Sequence, residues 1–101
     1  MSRVHLQRDA RTDLQSIWDY TAENWGVQQA DKYLAEINAK IREIAFNRSP
    51  ARRCDEIHQG LWRSKSGSHI ILFLREDSGI SVVRVMHMQQ NFAAGFGERK
   101  F

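Results

Sequence analysis

The chain has 101 residues, 42% of them apolar and 27% charged, which is the mixture of one soluble globular domain spanning 1–101. Its single cysteine, Cys54, excludes an internal disulfide. No apolar run approaches the ~18 residues that cross a bilayer, and the charged start MSRVHLQRDAR lacks the apolar stretch of a signal peptide. These features point to the cytosol, with no membrane partner. The net charge is +3; residues 1–50 balance at 7 basic and 7 acidic groups, while 51–101 hold 8 and 5. A basic second half suits an acidic partner, nucleic acid or protein; it also simply solubilises an exposed sheet.

Residues 3–7 alternate polar and apolar, as a short strand does. Residues 9–25 read as an amphipathic helix with Ala10, Leu14, Ile17, Trp18, Thr21 and Trp25 on one face. Gly26 is its natural stop, because glycine tolerates the left-handed backbone past a helix end. Residues 27–47 read as a second helix, its stripe made by Ala30, Tyr33, Leu34, Ile37, Ile41, Ile44 and Ala45. Lys40 and Glu36 are spaced for an ion pair on it. With so short a link, the two helices must fold back into a hairpin. Pro50 closes the helical region, and 48–60 read as polar and irregular.

From Leu61 the period becomes 2. Strands are expected over 61–65, 69–75 and 80–87, separated by Ser66-Gly67-Ser68 and Glu76-Asp77-Ser78-Gly79. The middle strand is apolar at every position from Ile70 to Leu74, as expected when both faces are covered. Simple alternation places Ile80, Val82, Arg84 and Met86 on one face of the last strand, and Ser81, Val83, Val85 and His87 on the other. The order is strand, helix, helix and three-strand meander: an α+β fold with a helical hairpin on an antiparallel sheet.

Four stretches then carry a family resemblance. They are Ala10 with Asp13-Leu14, Ile17-Trp18 and Tyr20; Trp25-Gly26 leading to Ala30 and Tyr33; Trp62-Arg63 followed by Ser66-Gly67-Ser68-His69; and Val83-Arg84-Val85-Met86-His87. In this order the chain resembles the ParE-type toxins (plasmid stabilisation proteins) of the ParE/RelE toxin–antitoxin superfamily. The resemblance implies a RelE-like fold in β-α-α-β-β-β order. It implies a ParD-like antitoxin as partner, a ribbon-helix-helix DNA-binding protein whose C-terminal segment wraps the toxin. Operator DNA would be met only through that antitoxin. ParE members look like inhibitors of DNA gyrase, and RelE members like ribosome-dependent mRNA endonucleases.

The chemistry of the residues must choose between these, because fold does not. RNA cleavage needs a general base, a general acid and a cation for the phosphate. His87, Arg84 and Arg63 are the candidate set. His87, an imidazole at a strand end, is the candidate acid–base residue, or else caps the sheet edge. Arg63 and Lys65 share one face of a strand, as an anion-binding strip or as a solvated edge. Asp55 and Glu56 precede that strand. His69 reads as a turn or packing residue, and no role is assigned to His5 or His58. RelE-type nucleases usually carry a Tyr or His near the C-terminus, and none follows His87. The expected function is therefore a toxin that is not itself an enzyme. It would stabilise the gyrase–DNA cleavage complex, block replication and be neutralised by its antitoxin. The alternatives are a RelE-like endonuclease, or an inactive homologue kept as an antitoxin-binding co-repressor. The expected gyrase surface is Arg63, Lys65, Arg84, His87, Met88 and Phe92. The expected antitoxin surface is Trp18, Tyr20, Trp25, Tyr33 and Trp62, aromatic area beyond the needs of so small a core. One cysteine and four scattered histidines make no zinc site, and no glycine-rich phosphate loop is present, so neither metal nor cofactor is expected.

Overall fold

The computed structural model describes residues 3–89. Its elements are β1 (Arg3–Leu6), α1 (Arg8–Trp25), α2 (Val27–Ala45), β2 (Arg52–Arg53), β3 (Leu61–Ser66), β4 (His69–Glu76) and β5 (Gly79–His87). They form one five-stranded sheet in the order β1-β5-β4-β3-β2, with the helical hairpin against one face. The sheet is antiparallel from β2 to β5; β1 joins its edge parallel to β5. The stretch read as irregular holds the short strand β2, where Arg52 and Arg53 pair with Arg63 and Trp62.

The hairpin turns on one residue. Gly26 has φ 94°; its N–H donates to the carbonyl of Ala22 at 2.9 Å, and its carbonyl accepts the N–H of Ala30 at 3.1 Å. It closes one helix and opens the next, in a conformation a Cβ would strain. α2 stops at Ala45, two residues short of the expected end, because Asn47 turns left-handed at φ 58°. Arg48 then donates to the carbonyl of Glu43 at 2.8 Å and Asn47 to that of Ile44 at 3.0 Å, so the last carbonyls are satisfied. Lys40 bonds Ser49 at 3.0 Å and lies 3.9 Å from Glu43; it does not make the expected pair with Glu36.

Both faces of β4 are buried. Ile71 and Phe73 face the helices with Ile17, Ile37, Ile41 and Ile44. Ile70 and Leu72 face away, packed with Cys54, Leu61, Val83 and Met86. The expected alternation of β5 is corrected by a β-bulge. Leu72 pairs with Arg84 while the next residue, Phe73, pairs with Val82, leaving Val83 over. The extra residue resets the pleat, so Ile80, Val82 and Val85 belong to the helix-side core and Val83 and Met86 to the far one.

Two contacts attach the remaining pieces. Gly79 lets β1 lie against β5, since a Cβ there would stand 1.8 Å from the carbonyl oxygen of Arg3. Asp13 of α1 accepts three hydrogen bonds from β5: Arg84 Nε at 2.6 Å, Arg84 Nη2 at 2.8 Å and the Val85 amide at 2.9 Å. The two side chains are only 14% and 15% exposed, so the pair is largely withdrawn from water. Asp13→Ala strands a largely buried guanidinium and is expected to cost about 3 kcal/mol in urea unfolding; a loss under ~0.5 kcal/mol would reduce the pair to a surface contact.

Candidate functional site

A cavity of about 410 Å³ opens where the hairpin end of the helices meets the β3–β4 turn and the end of β5. Tyr20 and Trp25 form its rim; they are 61% and 65% exposed, with their rings edge-to-face at 6.0 Å. The stripe read from the sequence placed Trp25 towards the core, but it stands at the last turn of α1, beyond the sheet that would bury it.

The floor is polar. The Tyr33 hydroxyl accepts the Ser68 amide N–H at 3.0 Å and lies 2.6 Å from His69 Nδ1. That oxygen can accept from both groups or donate its one hydrogen to Nδ1, and the tautomer of His69 sets which. Gly67 makes room for this contact: with φ 57°, its Cβ would meet the Tyr33 ring at 2.8 Å. His69 pairs across the strands with His87, the rings 5.3 Å apart and nearly perpendicular at 83°. The Gln89 amide donates to His87 Nδ1 at 3.1 Å. Burial pushes the pKa of His69 below the usual imidazole value; the neighbouring His87 adds to this and Asp13 opposes it. The turn or packing residue of the sequence reading is thus a wall of the site. Its register opposite His87 is the signal that identifies it.

The expected site residues fall into separate places. Tyr20, Trp25, Tyr33 and His87 line the cavity. Trp18 lies on the outer face of the hairpin, where its indole N–H donates to Asp31 at 2.9 Å. Trp62 stacks on Phe73 at the opposite end of β3, with Arg75 4.5 Å above its ring and Arg53 at 5.4 Å. Arg63 pairs with Leu72 and Lys65 with Ile70, which puts both on the sheet face away from the helices. Beside them a hollow of about 280 Å³ is walled by Pro50, Ala51 and Arg52. Arg84 is engaged with Asp13, which raises its pKa further through their hydrogen bonds and leaves its charge inside the fold. Met88 is half exposed, and its N–H donates to the carbonyl of Ser68 at 2.9 Å, so β5 ends beside the β3–β4 turn. Phe92 lies outside the described residues. His87, Arg84 and Arg63 are therefore not brought together as a catalytic set. Asp55 is held by Arg53 at 2.8 Å and by the Gly60 amide, and those bonds lower its pKa. Among the described residues no three His, Cys, Asp or Glu side chains cluster as metal ligands, and no helix is long and apolar enough to cross a membrane.

The molecule is thus a small α+β domain with a helical hairpin on a mixed sheet, an aromatic groove at one end and a basic strip behind. Comparisons with known proteins give the family. Residues 4–92 match the model of the ParE toxin of type II toxin–antitoxin systems (parDE), and the chain belongs to that family. It is 40% identical over 91 residues to toxin ParE1 of Mycobacterium tuberculosis, covering 89% of this chain and 93% of that one. It is 35% identical over 97 residues to toxin ParE1 of Caulobacter vibrioides, covering 96% and 100%. The fold is shared with a chromosomal ParDE toxin–antitoxin structure from P. aeruginosa, at TM-score 0.74, 18% identity, and 88% and 98% coverage. It is shared more loosely with a YoeB–YefM complex from Staphylococcus aureus, at TM-score 0.58, 14% identity, and 86% and 97% coverage.

The His69 environment has a consequence for stability. Its folded pKa lies below the unfolded value, so between the two the unfolded chain binds more protons and stability rises with pH. The stabilisation is complete above the usual imidazole pKa and is lost as pH falls below it. Urea unfolding at pH 7.5 and pH 5 is expected to show a larger acid loss for the wild type than for His69→Gln; equal losses would mean that the ring is as solvated when folded as when unfolded.

Proposed function

We propose that the chain inhibits DNA gyrase by stabilising its cleavage complex with DNA, that it acts in the cytoplasm, and that a ParD-like antitoxin neutralises it. Membership of the ParE family is the foundation of this reading. The observation that carries it over RNA cleavage is that, among the described residues, no cation stands at the imidazoles. The cavity of His69 and His87 has no Lys or Arg in its described wall. Arg84 is spent on Asp13, and Arg63 lies on the other face of the sheet. Two imidazoles and a tyrosine can exchange protons, but a crowded phosphorane also needs charge stabilisation, which this wall does not supply. Inhibition by binding needs no such set, so we read the chain as a toxin that is not an enzyme.

The proposed gyrase surface is the basic strip Arg63 and Lys65 with the end of β5, His87 and Met88, continuing to Phe92. Lys65 and Met88 both lie at the end of the sheet that carries the β3–β4 turn. Arg84 supports this surface from within by fixing β5 to α1. The proposed antitoxin surface is the aromatic groove of Tyr20, Trp25 and Tyr33. Trp18, on the outer face of the hairpin, and Trp62, at the opposite end of β3, lie apart from it.

The test is a supercoiling reaction with purified toxin, gyrase, plasmid and ATP, scored for linear DNA after denaturation. Linear DNA or lost supercoiling that the antitoxin reverses supports the reading. Charge reversal of Arg63 and Lys65 together should raise the toxin concentration required about tenfold or more. Folded toxin that leaves gyrase untouched and cuts ribosome-bound mRNA would replace this reading with the nuclease one. For the partner, Trp25→Ala is expected to weaken antitoxin binding by about 2 kcal/mol, roughly 30-fold; unchanged affinity would move the groove elsewhere.

A further inference from the structure

At the β2–β3 edge of the sheet, three cations share one small area. We propose that Arg52, Arg63 and Lys65 hold the phosphodiester backbone of duplex DNA, so that the toxin touches DNA directly and without regard to sequence. Assigning that duplex to the DNA of the gyrase complex rests on the function proposed above; the binding itself does not.

The argument begins with register. Arg52 of β2 lies directly opposite Arg63 of β3, and residues so paired send their side chains to the same face. Lys65 is two residues beyond Arg63 in a strand without a bulge, so it shares that face. The backbone thus spaces the three by about 5 Å across the strands and about 7 Å along them. All three line the hollow of about 280 Å³, whose remaining wall is Pro50, Ala51, Ser64 and Ile70. Arg52 and Lys65 are exposed and Arg63 is half-buried.

The fold does not answer these charges. The wall of the hollow holds no acid, and among the described residues none of the three cations makes an ion pair. The two acids that precede β3 are engaged elsewhere. Asp55 is held by Arg53, which lies over the Trp62 ring on the helix side of the sheet. Glu56 accepts the Cys54 thiol at 3.6 Å; that thiol also borders Arg63, but Glu56 is not in the wall. The Ser64 hydroxyl donates to the Pro50 carbonyl at 2.9 Å, so the cations dominate the hollow. Like charges directly opposite each other destabilise a strand pair, and an anion between Arg52 and Arg63 relieves that repulsion.

A polyanion suits this arrangement better than a single ion. The cations are spread along and across the strands, so one small anion meets only part of them. A DNA duplex carries a charge about every 1.7 Å of its axis. Guanidinium forks match phosphate oxygens with paired hydrogen bonds, and a lysine adds a point charge. Such contacts position a protein on a duplex and read no sequence. β2 has only two residues, so β3 beyond Arg63 lies at an open edge where a duplex can approach. The proposed target already contains this polyanion: the strip holds the duplex while the end of β5 meets the protein.

The test uses the full-length toxin without antitoxin and two short fluorescent duplexes of unrelated sequence, followed by anisotropy as salt is raised. The expected result is equal affinity for the two, lost about 20-fold between about 50 and 150 mM salt, the slope of three neutralised phosphates. The double variant Arg52→Gln, Lys65→Gln leaves one contact, and its loss over the same range should fall to about threefold. Lys32→Gln, which removes an exposed cation of α2, should keep the full loss. No saturable binding at the lower salt, a slope unchanged in the double variant, or one reduced equally by Lys32→Gln would overturn the proposal. Tighter binding of a polyglutamate peptide than of either duplex would overturn it in favour of an acidic protein partner. The wild-type slope is the primary measurement, so it stands even if a variant misfolds. If the duplexes bind as expected while supercoiling by gyrase is untouched, the DNA site stands and the gyrase reading falls.

Discussion

The carboxylate of Asp13 ties α1 to β5 through a charge and a backbone amide at once. Past Val82, β5 has lost its neighbour, because β1 ends its pairing there and the chain leaves to form α1. Without that carboxylate the Val85 amide would face inward unsatisfied, and the Arg84 guanidinium would lie largely buried without a counter-charge. Asp13 answers both at once, and so sets where α1 crosses the sheet. Two turns further along α1 come Tyr20 and Thr21, and three residues beyond Arg84 comes His87, so the cavity wall from both sides is aligned by this one contact.

The sheet separates two kinds of surface. Its helix side ends in an aromatic groove with a polar floor, and its far side carries Arg63 and Lys65 over a second apolar cluster. A 101-residue chain achieves this because β4 is buried on both faces, which leaves each outer layer free to specialise. In the proposed function the aromatic groove meets the antitoxin and the basic strip meets gyrase. The two surfaces converge at the β3–β4 turn, where Ser68 bonds both Tyr33 and Met88. A segment seated in the groove therefore ends beside the residues proposed to act on gyrase, which offers a physical route to neutralisation.

Much of the architecture was legible in the pattern of residues. The change of period at Leu61, the breaker Gly26 and the apolar run from Ile70 to Leu74 correspond to the observed elements within two residues at each end. The short strand β2 was not legible, because Arg52 and Arg53 are polar and exposed and owe their conformation to pairing with β3. The site was legible in pieces. Of the residues put forward from the sequence, Tyr20, Trp25, Tyr33 and His87 line the cavity, whereas Trp18, Trp62 and Arg84 have local partners that remove them from it.

Sequence by itself determined the order of elements, the helical hairpin, the doubly covered strand and the family, because each depends on local periodicity or on short motifs. Tertiary structure alone decided which residues meet. The bulge at Val83 is the clearest case: continued alternation would set His69 opposite Met86, and one unpaired residue sets it opposite His87. That single shift puts the two imidazoles side by side and turns Val85 to the helix-side core. A bulge costs one ladder pairing and is compensated by packing on both faces and by Asp13 across the gap. None of those compensations is local in the chain, which is why the cavity exists only once the fold is complete.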